Sequence, residues 1–227
     1  MIPVEITALL VLFGKSFLFV LAALLPILNP AATAPLFLSL TEGAAPRTRA
    51  VLARRIAGNA VALLVGAMLI GSYVLDLFGI SLPIVRVGGG LLLASNAWRL
   101  LHTNQSANDN RAALAEAFTT DHARRQAFYP LTFPISCGPA SISAAITVGA
   151  TLFDPKLSLS LARFGGGVLA LCVIGFVIFL ALRYAAQLLR PLGEAGLVVF
   201  LRLSAFILLC LGVQIIWDGV RDLIKTL

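Results

Sequence analysis

The chain has 227 residues, 59% of them apolar and 12% charged, with a net charge of +7 and a mean hydropathy of +0.98. A soluble domain carries about twice that share of charge. These values exclude a disordered chain, a disulfide-stapled secreted domain and an ordinary soluble enzyme, and leave an integral membrane protein in contact with the lipid bilayer.

Spanning the hydrocarbon takes about 20 apolar residues in a helix. Six stretches qualify, near 6–28, 56–78, 82–101, 127–152, 159–182 and 196–217. They are apolar on all sides, which excludes the alternating strands of a barrel. Before the first run stands Glu5 and no Lys or Arg, so a retained span is predicted rather than a cleavable signal.

Basic residues gather on one side: Arg47, Arg49, Arg54 and Arg55 in 42–55, Arg99, Arg111, Arg124 and Arg125 in 99–125, then Arg183 and Arg190. The opposite loops and the C-terminal end offer Lys156, Arg221 and Lys225. This bias predicts cytoplasmic first, third and fifth loops and periplasmic termini, and it accounts for the basic charge without nucleic acid. The polar run through Asn104, Gln105, Asn108, Asp109 and Asn110 predicts a cytoplasmic linker over 102–125. It joins a three-helix repeat at 1–101 to another at 126–227 within a single membrane domain.

The two halves echo one another. Pro26-Ile-Leu-Asn-Pro30 is matched by Pro134-Ile-Ser-Cys-Gly-Pro139, each followed by small residues. Arg55 with Gly58 answers Arg163 with Gly166, 25 and 24 residues after Pro30 and Pro139. Arg86 before Gly88–Gly90 answers Arg202 before Ser204 and Ala205. With three spans per half, the second enters the membrane inverted. The predicted fold is therefore all-α, with six transmembrane helices in a 3+3 inverted-topology repeat, the construction of many secondary transporters.

Proline removes a backbone N–H and clashes with the preceding turn. Pro26, Pro30 and Pro35 in one half, and Pro134 and Pro139 in the other, predict a broken helix in each. Freed backbone groups are tolerated in a bilayer only inside protein or beside a cavity. Each following half-helix presents free N–H groups and a partial positive charge, suited to a carboxylate. Asn29, Pro30, Thr33, Ser136, Gly138, Pro139 and Ser141 are the candidate binding residues at the breaks, with Ser143 a further hydroxyl. Arg86 and Arg202 sit inside spans at repeat-related positions and are candidates for holding either the solute carboxylate or the exposed half-helix ends.

No Asp or Glu lies deep in a predicted span; Asp76 and Asp218 are near ends. His102 and His122 fall in the polar loop, and no hydrolase or zinc-protease motif occurs. No catalytic residue, metal or cofactor is expected. Cys137, Cys172 and Cys210 are scattered in apolar stretches and form no ligand pattern. Gly58, Ala62 and Gly66, and the runs Gly88–Gly90 and Gly165–Gly167, predict close helix packing rather than a phosphate loop.

Three segments carry a family resemblance. Leu25-Pro-Ile-Leu-Asn-Pro30 followed by Ala34-Pro-Leu-Phe-Leu-Ser-Leu-Thr41 resembles the MarC family of bacterial inner-membrane proteins. Arg86-Val-Gly-Gly-Gly-Leu-Leu-Leu93 and Gly212-Val-Gln-Ile-Ile-Trp-Asp-Gly-Val220 are similar to it as well. One departure stands out: Ser136 and Cys137 precede Gly138-Pro139 where the family more often has small apolar residues. The resemblance implies six spans, an inner-membrane location and, from some members, transport of small neutral amino acids.

The sequence thus points to a secondary transporter or exporter of a small zwitterionic solute, with one half rocking against the other. A coupling ion and a homo-oligomer are compatible with it. The alternative is a non-transporting membrane scaffold or envelope-stress component, whose breaks would be structural and whose centre would be filled.

Overall fold

The computed structural model describes residues 4–41, 44–102 and 127–225. Apart from His102, the expected linker 102–125 lies outside the described residues. The described chain is helical throughout: α1 (Val4–Leu28), α2 (Pro30–Leu40), α3 (Pro46–Leu77), α4 (Leu82–His102), an irregular wide-turn segment (Ala127–Ser136), α5 (Pro139–Leu152), α6 (Leu157–Arg183), a short α7 (Ala185–Leu189), and α8 (Gly193–Lys225).

Among the described residues, four helices are long and apolar enough to cross a membrane. They are Ile6–Leu38, which takes α1 and α2 together, Pro46–Leu77, Leu157–Arg183 and Ala195–Lys225. Ala127–Ser136 and α5 reach that measure as a pair bent by 71°. The remaining expected span, 82–101, is helical as α4 but is not one of the four. Arg86, Asn96 and Arg99 lower its hydropathy.

The two proline clusters fold differently. Pro26 and Pro35 lie inside α1 and α2, and the first interruption is the single residue Asn29. Asn29 is left-handed at φ 40°, ψ 64°, a conformation that Asn tolerates better than most residues. Its side-chain oxygen accepts the Ala32 amide at 3.2 Å, and Pro30 opens α2 where no N–H is needed. The second interruption is wider. Tyr129 and Phe133 leave helical geometry, the Phe133–Pro134 bond is cis, and α5 starts after an extended Gly138 without a side-chain cap.

The halves interlock helix by helix. α1 packs on α6, α3 on both α5 and α6, and α4 on α8. Glycine makes the closest contacts. A Cβ on Gly90 would lie 2.8 Å from the Gly212 carbonyl oxygen, and one on Gly212 would lie 2.7 Å from the Ala94 nitrogen. In a bilayer such small-residue seams substitute for the hydrophobic driving force. Gly149 meets the Met68 backbone, and Gly166 the Phe13 backbone, in the same manner. Gly58, the repeat-related counterpart of Gly166, faces open space.

Two apolar clusters result. The larger runs through α1, α2, α3, Ala127–Ser136, α5 and α6 and includes Leu24, Phe37, Leu64, Leu131 and Ile174. The smaller joins Leu93 and Ala97 of α4 to Leu208 of α8 and Ala140 of α5. Leu10, Leu18, Ile70, Phe176 and Leu203 point outward, as lipid-facing side chains do.

Candidate functional site

A cavity of about 530 Å³ opens between α1, α4, α5 and α8. Its volume is in the range of small-molecule sites. Pro26 and Ile27, just before Asn29, and Ala140, just after Gly138 and Pro139, line the same space. Both helix interruptions thus border one cavity within a few residues.

Small side chains form much of its wall: Ala22, Ala23, Gly89, Ala140 and Ala144. Ser143 and Thr147 lie among them, one turn apart on α5. The Ser143 hydroxyl donates to the Val85 carbonyl of α4 at 2.8 Å. The Thr147 hydroxyl oxygen is buried and has no hydrogen-bond partner among the described residues. A buried hydroxyl without a partner carries a desolvation cost of about 1–3 kcal/mol, which a polar guest would remove.

Charge enters at one end. Arg86 of α4 forms an ion pair with Asp222 of α8, with side chains 24% and 37% exposed. Asp218, Arg221 and Lys225 line the cavity on the same last turns of α8, and Gln214 donates to Asp218 at 3.1 Å. Three cations therefore share the lining with two carboxylates, so the pair can exchange partners with a zwitterion without stranding a charge.

Of the nine sequence-predicted site residues, Arg86 lines this cavity and the other eight do not. Their polar groups are occupied locally. Thr33 donates to the Pro30 carbonyl at 3.0 Å, Ser136 to Leu131 at 2.8 Å, and Ser141 to Gly138 at 2.8 Å. Asn29 is spent on the α2 cap. Thr132 donates to the Ala127 carbonyl at 2.6 Å and accepts from Asn59 of α3 at 3.4 Å. Irregular backbone in lipid needs such partners, and these side chains provide them. Arg202 is exposed on α8, nine residues before the cavity residue Leu211, or about 13 Å along the helix.

The residues that sequence reasoning missed had a signal. Gln214, Asp218, Arg221 or Asp222, and Lys225 recur at helical spacing and mark one polar stripe on an otherwise apolar helix. Thr147 follows Ser143, the further hydroxyl already marked from the sequence, at the same i, i+4 spacing.

Residues 14–224 match the family described as MarC family integral membrane protein. The inner membrane protein MarC of Escherichia coli K12 is 31% identical over 210 residues, covering 91% of this chain and 94% of its own. The MarC protein of Shigella flexneri is similar to the same extent, 31% over 91% of this chain and 94% of its own. No solved structure matches. These relatives are inner membrane proteins, and the apolar helices here make this chain a multi-pass protein of the same membrane. The chain belongs to the MarC family of integral membrane proteins.

Proposed function

We propose that the protein is a secondary transporter, not an enzyme, that carries a small zwitterionic solute such as glycine or alanine across the inner membrane. The observation that carries this reading is the cavity of about 530 Å³ bordered by both helix interruptions and holding Arg86 and Asp222 at one end. A guest carboxylate takes the Arg86 guanidinium, and the guest ammonium takes Asp222 or Asp218. The Thr147 hydroxyl offers a further hydrogen bond. Ala140, Ala144 and Gly89 leave room for the guest beside the charged end.

Six spans in a 3+3 inverted repeat, with periplasmic termini, remain the architecture we propose. The reciprocal packing of α1 on α6 and α5 on α3 supports it, since an inverted pair exchanges these contacts. Interlocked halves cannot swing as units, so rocking of half against half gives way to another motion. The α4–α8 pair, one helix from each half and joined at Gly90 and Gly212, moves against the α1, α3, α5 and α6 group. The scaffold alternative draws on the locally satisfied hydroxyls at both breaks, but it leaves the cavity without a use.

Proteoliposomes with purified protein test this directly. Labelled glycine or alanine should exchange across the membrane, and Arg86→Ala should stop it. If no member of a broad amino-acid panel moves under any ion gradient, the reading fails.

A further inference from the structure

We propose that a second cleft, between α1, α5 and α6, binds the phosphate group of an anionic phospholipid through Lys15, Ser16 and Arg163. The cleft measures about 300 Å³ and is lined by these three residues with Thr151 and the apolar side chains Leu12, Phe19 and Leu152. It is separate from the solute cavity in its charges, and the proposal holds whether or not the protein transports anything.

The charge balance calls for an anion. Lys15 lies within the apolar span Ile6–Leu38, is exposed, and has no ion-pair partner among the described residues. Arg163 pairs with Asp154 at 3.2 Å. One carboxylate thus serves two cations, and one positive charge is left facing lipid. An uncompensated ammonium is costly at mid-membrane and less so toward the headgroups.

Ser16 supplies an independent observation. It is 7% exposed, lines the cleft, and makes no hydrogen bond among the described residues. Its hydroxyl is a donor on the cleft wall with no acceptor among the described residues. Thr151 already donates to the Val148 carbonyl at 2.7 Å and does not compete. The missing partner must carry negative charge and accept from an ammonium, a guanidinium and a hydroxyl at once. A phosphodiester oxygen pair does this.

Location favours lipid over a free ion. The α5–α6 turn with Asp154 and Lys156 marks one end of the bundle. Arg163 stands six residues beyond the start of α6, about 9 Å, a depth that a long basic side chain bridges to the headgroups. Leu12 and Phe19 flank the charged residues on the lipid-facing side, where acyl chains would lie.

Native mass spectrometry of the full-length protein in detergent tests the assignment, with phosphatidylglycerol and phosphatidylcholine of identical acyl chains. The first phosphatidylglycerol should bind at least about fivefold tighter than phosphatidylcholine, matching the ~1 kcal/mol that one basic residue gains from an anionic lipid surface. Lys15→Gln should erase that preference, Ser16→Ala should reduce it, and Lys15→Arg should keep it. Equal binding of the two lipids by the wild type, or an unchanged preference in Lys15→Gln, would overturn the proposal. Displacement of phosphatidylglycerol by millimolar inorganic phosphate would assign the cleft to the free ion and also overturn it.

Discussion

The Ser143 hydroxyl of α5 donates to the Val85 carbonyl of α4 across 2.8 Å, one residue from Arg86. This bond ties the second half of the chain to the first at the wall of the cavity. It holds α4 against α5 next to the residue that pairs with Asp222 of α8.

Arg86 and Asp222 are expected to serve the solute more than the fold. Their pair is partly exposed, and such pairs contribute at most about 1 kcal/mol to stability. Arg86→Gln and Asp222→Asn should each lower transport at least tenfold, about 1.4 kcal/mol, while thermal unfolding in detergent moves little. The exchanged pair Arg86→Asp with Asp222→Arg should fold and still fail to transport. Restored transport would show that the pair is structural.

The α4–α8 seam should tolerate no added atoms. Gly90→Val and Gly212→Val force side chains into opposing backbone. Each should cost about 1–3 kcal/mol, read as a lower unfolding temperature. Gly58→Ala, which meets open space, should change stability by less than about 0.5 kcal/mol.

Asn29 sits at φ 40° and caps α2. Asn29→Gly should keep the backbone and lose only the cap, at a few tenths of a kcal/mol. Asn29→Ala loses the cap and strains the left-handed turn, for about 1–3 kcal/mol. Unfolding of the two variants side by side gives the order.

Thr147 and Thr132 should separate function from folding. Thr147→Val removes a hydroxyl that has no partner among the described residues, so stability should hold or rise, while solute affinity falls. Thr132→Val breaks bonds to Ala127 and Asn59 and should destabilise by about 1–2 kcal/mol. Calorimetric solute binding and thermal unfolding on the same samples check both.

Much of the helical layout was legible, because long apolar runs bounded by Arg and Pro leave few alternatives in lipid. The site was legible in part. Pro26–Pro30 and Pro134–Pro139 announced irregular backbone, and Pro26, Ile27 and Ala140 do border the cavity. What sequence could not assign was the use of each hydroxyl. Thr33, Ser136 and Ser141 satisfy carbonyls of their own turns, whereas Ser143, two residues further, reaches another helix. For Ser141 and Ser143 that difference depends on which face of α5 each presents after the 71° bend, and no motif encodes the bend angle. Asp222 was missed for a similar reason. It lies near the end of an apolar helix, and its value to Arg86 appears once α4 and α8 run antiparallel.

The central claim is that the cavity holds the solute, and substrate protection of Ala144→Cys measures it most directly. Ala144 lines the cavity, and Cys137, Cys172 and Cys210 would be replaced so that the new thiol reacts alone. A membrane-impermeant maleimide should label Ala144→Cys, and glycine or alanine should slow that labelling several-fold. The protection should vanish when Arg86→Gln is added. Labelling at one rate with and without every amino acid in the panel would contradict the account.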